Sequence, residues 1–168
     1  LKNANSTEFN SKTPNPVISE LPDQKKIEGL GGSMRLGAQD VAITPGTLAN
    51  FLYGATTVRE RFRHRYEVDP AYIARLEAGG MVFSGRHPRQ PIMQILELPQ
   101  GGDSGGPSHP FFIGGQFHPE LTSRPLRPQP LFMGLVAAAI SAKYGAETNT
   151  DATVGKLLRP ASAAKQTA

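Results

Sequence analysis

The stretch "HPFFIGGQFHPELTSRP" (residues 109–125) decides the fold and contains the first candidate site. Its apolar run Phe111–Ile113 predicts a buried strand, and His118 and Glu120 follow near the end of that strand. Side chains two positions apart on an extended backbone point to the same side. The carboxylate can therefore hold one ring nitrogen of the histidine and leave the other as a base. A surface pair or two metal ligands are the alternatives, although no third or fourth metal ligand is evident.

Both flanks of this stretch alternate between strand-like and helix-like patterns, which is typical of an α/β domain. The predicted strands are 34–44, with a break near Gly37, 81–85 ("MVFSG") and 91–99 ("PIMQILELP"). The predicted helices are Leu48–Tyr53, Pro70–Ala78 and Leu131–Tyr144, with capping or stop residues at Thr47, Gly54, Asp69, Gly79 and Gly145. The last helix should bury the stripe Leu131, Leu135, Ala138, Ala139 and Ala142.

The two ends of the chain lack such patterns. Residues 1–33 are polar and interrupted by Pro and Gly, which predicts an extended loop region. Residues 146–168 are rich in Ala, Thr, Lys and Ser, which predicts a disordered tail after a domain portion that covers 1–145.

The composition restricts the classes of function. The 168 residues suit one domain or a piece of a larger one. The chain has no cysteine, so it supplies neither a disulfide framework nor a thiol nucleophile, and a cytoplasmic location fits. The net charge is +4, but the basic residues are scattered without interleaved aromatics, so we expect no nucleic-acid partner. No apolar run is long enough to cross a membrane.

A second motif, "GDSGGP" at Gly102–Pro107, is similar to the nucleophile loop of trypsin-like serine proteases. Such a protease also needs a histidine base and a buried aspartate from two β-barrels, which need more chain than this. The segment 101–107 consists of residues that form surface turns. We interpret it as a loop between two strands that includes Ser104, with a serine hydrolase as the weaker alternative.

Several longer segments resemble one enzyme family. They are "NANSTEF" (3–9), "GGSMRLGAQ" (31–39), "RFRHRYEV" (61–68) and "FHPELTSRPLRPQPLFMGLVAAA" (117–139). Together they resemble, over about residues 2–144, the C-terminal half of the class I glutamine amidotransferase domain of CTP synthases. The resemblance implies an α/β, flavodoxin-like fold with a mixed or parallel sheet and flanking helices, incomplete without upstream strands.

The resemblance also implies a function and roles for four residues. In this family, glutamine is hydrolysed through a cysteine thioester, and the ammonia travels internally to UTP that ATP has activated. The family's histidine and glutamate fall on His118 and Glu120, which would transfer protons and orient the imidazole. Its glutamine-binding residues fall on Glu8, for the α-ammonium group, and Arg65, for the α-carboxylate.

The absent cysteine is the main departure from the family. The resemblance places that cysteine upstream of Leu1, so this part alone should be inactive. It also assigns UTP, ATP and Mg²⁺ to a separate synthase domain, with no cofactor or metal bound by this part, and implies GTP activation and a homotetramer. The alternative is a non-catalytic, amidotransferase-like binding module.

Overall fold

The computed structural model describes residues 1–21, 34–99 and 109–144. Within these ranges the strands are β1 Ala4–Ser6, β2 Asn15–Ser19, β3 Arg35–Ile43, β4 Thr57–His64, β5 Glu67–Val68, β6 Val82–Arg86, β7 Met93–Glu97 and β8 Ile113–Gly115. The helices are α1 Leu48–Tyr53, α2 Pro70–Ala78 and α3 Pro130–Tyr144, and a 3₁₀ helix spans Pro119–Leu121. The predicted loop 101–107 with Ser104 and the predicted tail 146–168 lie outside the described residues.

The described strands form two sheets. The larger has the order β4-β3-β6-β7-β8, and its pairings are antiparallel. The smaller has the order β1-β2-β5 and combines a parallel pair with an antiparallel one. Side chains of α1 and α3 pack with those of β3, β4 and β7 in the main apolar cluster, and α2 packs beside β6. This mixed architecture with flanking helices confirms the predicted α/β class.

The N-terminal segment differs from the prediction of a loop. Ala4–Ser6 and Asn15–Ser19 are strands, and Asp69, just after β5, donates its backbone N–H to the carbonyl of Val17 at 3.0 Å. These strands are three and five residues long. They are too short to show a period of two, and their pairing with distant residues, not local preference, makes them strands.

The long strand β3 also differs from the prediction, because it is not broken near Gly37. Its pairing with β4 runs without interruption from Arg35 opposite His64 to Ala42 opposite Thr57. Gly37 has a φ of +88°, a conformation that glycine adopts without the steric cost of a Cβ. The glycine therefore lets the backbone of β3 depart from extended geometry at one residue while the hydrogen-bonded pairing with β4 continues.

The ends of the first two helices confirm the predicted signals. The hydroxyl of Thr47 accepts the N–H of Asn50 at 3.2 Å, and Gly54 ends α1 in the left-handed conformation. The carboxylate of Asp69 accepts the N–H of Ala71 at 2.9 Å, with Pro70 at the first helical position of α2. Both signals are local, so the sequence alone specifies them.

Helix α3 has the predicted position, but its buried face shares only part of the predicted stripe. The buried residues are Leu131, Gly134 and Ala137, whereas Leu135 is 56% exposed and Ala139 and Ala142 are exposed too. A Cβ added at Gly134 would lie 2.8 Å from Leu52 Cδ2 and 2.9 Å from the Phe111 ring. The glycine thus allows a close approach that turns the larger apolar side chains of α3 outward. The predicted stripe was right at Leu131 and wrong at Leu135, Ala139 and Ala142, because apolar periodicity ignores this close contact.

Several large apolar side chains of α3 lie at the surface. On α3 the large exposed apolar residues include Phe132, Leu135, Val136 and Ile140. Strand β8 ends the order of the five-stranded sheet and pairs with β7 alone among the described strands. No helix in the described ranges is long and apolar enough to cross a membrane.

Candidate functional site

The segment after β8 is fixed by backbone contacts. The ring of Phe117 is buried in the main apolar cluster, against the ring of Phe62. His118 donates its backbone N–H to the carbonyl of Arg61 on β4 at 2.8 Å. Pro119 then begins the 3₁₀ helix, where its fixed φ suits the first helical position. These contacts fix the backbone on which the predicted pair stands.

His118 and Glu120 contact each other as predicted. Nδ1 of His118 lies 2.6 Å from Oε1 of Glu120. The backbone of His118 is extended, but Glu120 lies on the 3₁₀ helix, so a tight turn and not strand alternation brings the two side chains together. The hydrogen bond from His118, with one from the backbone, holds the pKa of Glu120 below its usual value.

This geometry determines which ring nitrogen can act as a base. An ionised carboxylate only accepts hydrogen bonds, so Nδ1 of His118 carries the hydrogen toward Glu120. In the neutral imidazole, Nε2 then has the available lone pair. The side chain of His118 is 37% exposed and that of Glu120 57%, so a reactant can reach the ring. The pair is therefore able to accept and return a proton at Nε2.

A cleft of about 480 Å³ brings the other two predicted residues together. Glu8, in the turn after β1, and Arg65, in the bend between β4 and β5, both line it. The two are 57 positions apart in the sequence, so only the folded chain juxtaposes them. Nε of Arg65 lies 4.0 Å from Oε1 of Glu20. The cleft thus offers a carboxylate and a guanidinium, which suits a zwitterionic ligand.

Gln116 links the cleft to the histidine segment. It lines the cleft and lies two residues before His118. Its amide donates to the carbonyl of Tyr66 at 3.3 Å, and its backbone N–H donates to the carbonyl of Gln94 at 2.9 Å. His118 and Glu120 are not themselves among the lining residues, and Gln116, two residues before His118, connects their segment to the cleft.

A second histidine–carboxylate pair supports the wall of the cleft. His64 lines the cleft, and its Nε2 lies 3.1 Å from Oε1 of Glu67, which also accepts Nε of Arg35 at 2.6 Å. Burial alone would raise the pKa of Glu67, but the hydrogen bonds and charges of His64 and Arg35 lower it. His64 is largely buried, and its carboxylate partner also binds an arginine. We therefore assign this pair a structural role.

A group of buried polar residues behind the pair was not predicted from the sequence. Glu60 accepts hydrogen bonds from Tyr53, Thr122 and Gln129. A signal for it exists in β4, where Glu60 is in phase with the buried Phe62 and the arginines at 59, 61 and 63 are exposed. Within residues 1–21, 34–99 and 109–144, no group of three or more His, Cys, Asp or Glu side chains is arranged to hold a metal ion.

Comparison with known proteins gives consistent matches. The family model for glutamine amidotransferase class-I matches residues 9–138. The CTP synthase of Rubrobacter xylanophilus is 51% identical over 93% of this chain, and that of Archaeoglobus fulgidus is 52% identical over 86%. The chain spans 27% and 25% of the lengths of these two relatives, about a quarter of each.

A solved structure agrees with these sequence matches. The glutaminase domain of Trypanosoma brucei CTPS with bound acivicin superimposes with a TM-score of 0.69 at 31% identity. The match covers 83% of this chain and 51% of that one.

Proposed function

The chain belongs to the class I glutamine amidotransferase family, and we propose that it is the glutaminase part of a CTP synthase. The observation that carries the proposal is the 2.6 Å contact between His118 and Glu120 beside a cleft that contains Glu8 and Arg65. The similarity to CTP synthases over most of the chain supports the choice of this enzyme within the family.

Glutamine binds in the proposed mechanism through its two charged groups. The carboxylate of Glu8 accepts hydrogen bonds from the α-ammonium group, and the guanidinium of Arg65 donates to the α-carboxylate. The amide end of the substrate then extends along the Gln116 segment toward His118. Both charged ends are fixed, so the bound geometry is set before the reaction begins.

The chemical step requires a nucleophile from outside this chain, which has no cysteine. In the proposed step, a cysteine thiol gives its proton to Nε2 of His118, and its sulfur bonds to the amide carbon of glutamine. The C–N bond breaks, and the departing ammonia takes the proton from His118. Water then hydrolyses the thioester, again with His118 as the base, and releases glutamate. Glu120 stabilises the protonated ring throughout.

The remaining parts of the proposed reaction belong outside this chain, which spans about a quarter of its CTP synthase relatives. There, ATP with Mg²⁺ phosphorylates UTP, and ammonia displaces the phosphate to give CTP. We also propose GTP activation, a homotetramer and a cytoplasmic location for the whole protein. On this proposal the present chain alone does not hydrolyse glutamine.

The test compares two nitrogen sources in the full-length protein. We expect His118→Ala to abolish CTP formation from glutamine, by at least about 100-fold, because a positioned general base contributes roughly that much or more. CTP formation from added ammonia should stay close to the wild-type rate. A matched control is His87→Asn, because Nδ1 of His87 accepts the N–H groups of Arg89 and Gln90 and an Asn oxygen can replace it.

The outcomes separate the proposal from its rivals. Equal loss of both activities in His118→Ala would contradict the role of His118. A full-length wild-type protein that forms no CTP from either nitrogen source would favour the non-catalytic binding module. The observation that favours the binding module is the absence of cysteine from this chain.

A further inference from the structure

A buried carboxylate lies behind the exposed His118–Glu120 pair. Glu60 on β4 is 4% exposed, and three side chains donate hydrogen bonds to it. The hydroxyl of Tyr53 donates to Oε1 at 2.8 Å, and the amide of Gln129 donates to the same oxygen at 3.0 Å. The hydroxyl of Thr122 donates to Oε2 at 3.0 Å, and the carbonyl of Pro119, at 3.2 Å, is a second acceptor for the same hydrogen. Both oxygens of this buried charge are therefore satisfied, as a buried charge requires.

The donors come from separate parts of the fold, so the carboxylate joins them. Tyr53 is the last residue of α1, and burial together with the adjacent Glu60 charge raises the pKa of Tyr53. That tyrosine therefore remains a donor. Gln129 precedes α3, and its oxygen accepts the backbone N–H of Leu131 at 2.7 Å. Its amide also donates to the hydroxyl of Tyr53. Two helix ends and β4 are thus tied together at Glu60.

The Thr122 bond connects this network to the candidate site. Thr122 caps the end of the 3₁₀ helix that includes Glu120. At the other end of the same short segment, the backbone N–H of His118 donates to the carbonyl of Arg61, the residue after Glu60. Adjacent residues of β4 therefore hold both ends of the segment 118–122. Inside the segment, the 3₁₀ turn adds backbone hydrogen bonds to the carbonyls of His118 and Pro119, so these internal bonds hold its shape while β4 fixes its two ends.

An exposed pair needs such support to keep its geometry. Surface ion pairs contribute little on their own, and their long side chains lose order easily. A misplacement of about 1 Å at a reacting group costs on the order of 100-fold in rate. We propose that Glu60, acting through the hydroxyl of Thr122, is a positioning residue that sets the distance and angle between His118 and Glu120. This inference rests on the proposed glutaminase function and adds a residue to it.

The test removes the hydroxyl of Thr122, and with it the bond to Glu60 and the contact with the Pro119 carbonyl, without removing volume. In the full-length protein, Thr122→Val should lower kcat for glutamine by roughly 10-fold to 100-fold. KM for glutamine should stay within about twofold, because Glu8 and Arg65, which bind the charged groups of the substrate, are unchanged. CTP formation from ammonia should be unchanged. Thr122→Ser, which keeps the hydroxyl, should restore most of kcat.

Two further variants complete the design. Thr57→Val makes the same exchange at an exposed position at the start of β4, so it should leave both activities unchanged. Glu60→Met keeps the length of the side chain but removes both acceptor oxygens, so the Thr122 hydroxyl has only the Pro119 carbonyl left. It should reproduce the loss of kcat for glutamine seen in Thr122→Val.

The results distinguish the inference from the proposed function. If the wild type forms CTP from glutamine and Thr122→Val keeps a normal kcat, the positioning role is wrong. Equal losses with glutamine and ammonia would show a general effect on folding and would also contradict it. If the wild type forms no CTP from glutamine at all, the proposed function fails, and this inference fails with it.

Discussion

Glu97 provides a buried contact whose loss can be predicted quantitatively. It is the last residue of β7, and its carboxylate lies at the start of α1. Oε1 accepts the backbone N–H of Leu48 at 2.8 Å, and Oε2 accepts that of Ala49 at 3.0 Å. The residue is 4% exposed, so water cannot replace either bond. Glu97 thus satisfies two of the N–H groups that every helix leaves without a partner.

The change Glu97→Gln keeps the shape and removes one acceptor. One oxygen still accepts a backbone N–H, while the new amide N–H₂ faces the other backbone N–H. The loss of a hydrogen bond to a charged group costs about 1.5–3 kcal/mol. The loss of a negative charge at a helix N-terminus adds about 0.3–1 kcal/mol. We therefore expect the free energy of opening of α1 to fall by about 2–4 kcal/mol.

Amide hydrogen exchange in α1 measures this free energy directly. The matched control is Glu77→Gln, which removes an exposed carboxylate paired with Arg86 at 2.9 Å. Exposed pairs contribute about 0–1 kcal/mol, so the control should change little. If the two variants differ by less than about 0.5 kcal/mol, well below the expected gap, the capping role of Glu97 is refuted.

Two other predictions concern the pair and the packing of α3. The hydrogen bond from His118 lowers the pKa of Glu120, so the stabilising contact is present above the usual carboxyl pKa and is lost as pH falls through the lowered one. Carboxyl NMR titration should therefore give Glu120 a midpoint below about 4.3, and His118→Ala should return it toward that value; an unchanged midpoint in the variant would contradict the contact. Gly134→Ala gains about 1 kcal/mol of helix propensity but places a Cβ 2.8 Å from Leu52, an overpacking that costs about 1–3 kcal/mol. Chemical denaturation should show a net loss of unfolding free energy for Gly134→Ala. The control Ala139→Gly, at an exposed position of the same helix, measures the difference in helix propensity alone. A Gly134→Ala variant that is more stable than the wild type would refute the close contact.

The features that the sequence predicted correctly are local in the chain. Thr47 and Gly54 define α1, and Asp69 with Pro70 begins α2, because each signal acts within a few residues. Strands β1 and β2 could not be predicted in this way, since their hydrogen bonds come from distant partners. The buried face of α3 was predicted only in part, for a related reason. A glycine contributes nothing to an apolar stripe, yet a Cβ at Gly134 would lie only 2.8 Å from Leu52, so this glycine permits the close approach of the helix.

The same distinction applies to the candidate site. His118 and Glu120 are two residues apart, so their spacing alone predicted the contact, although a 3₁₀ turn and not an extended strand produces it. Glu8 and Arg65, 57 positions apart, line the same cleft, and in the sequence only the resemblance to a known family indicates them.

The alternating pattern of β4 is sufficient to identify Glu60 as a buried residue without any family resemblance. It alternates with exposed arginines and shares its side of β4 with Phe62, so the period of two places a carboxylate inside. A buried carboxylate must find donors, and this requirement alone predicts that Glu60 has hydrogen-bond partners. The position of those donors, 62 residues away at Thr122 and 69 at Gln129, comes from the fold alone. A charged residue in phase with a buried strand face therefore marks where a fold joins its distant parts, and in this chain the segment joined there is the one that carries the histidine and glutamate.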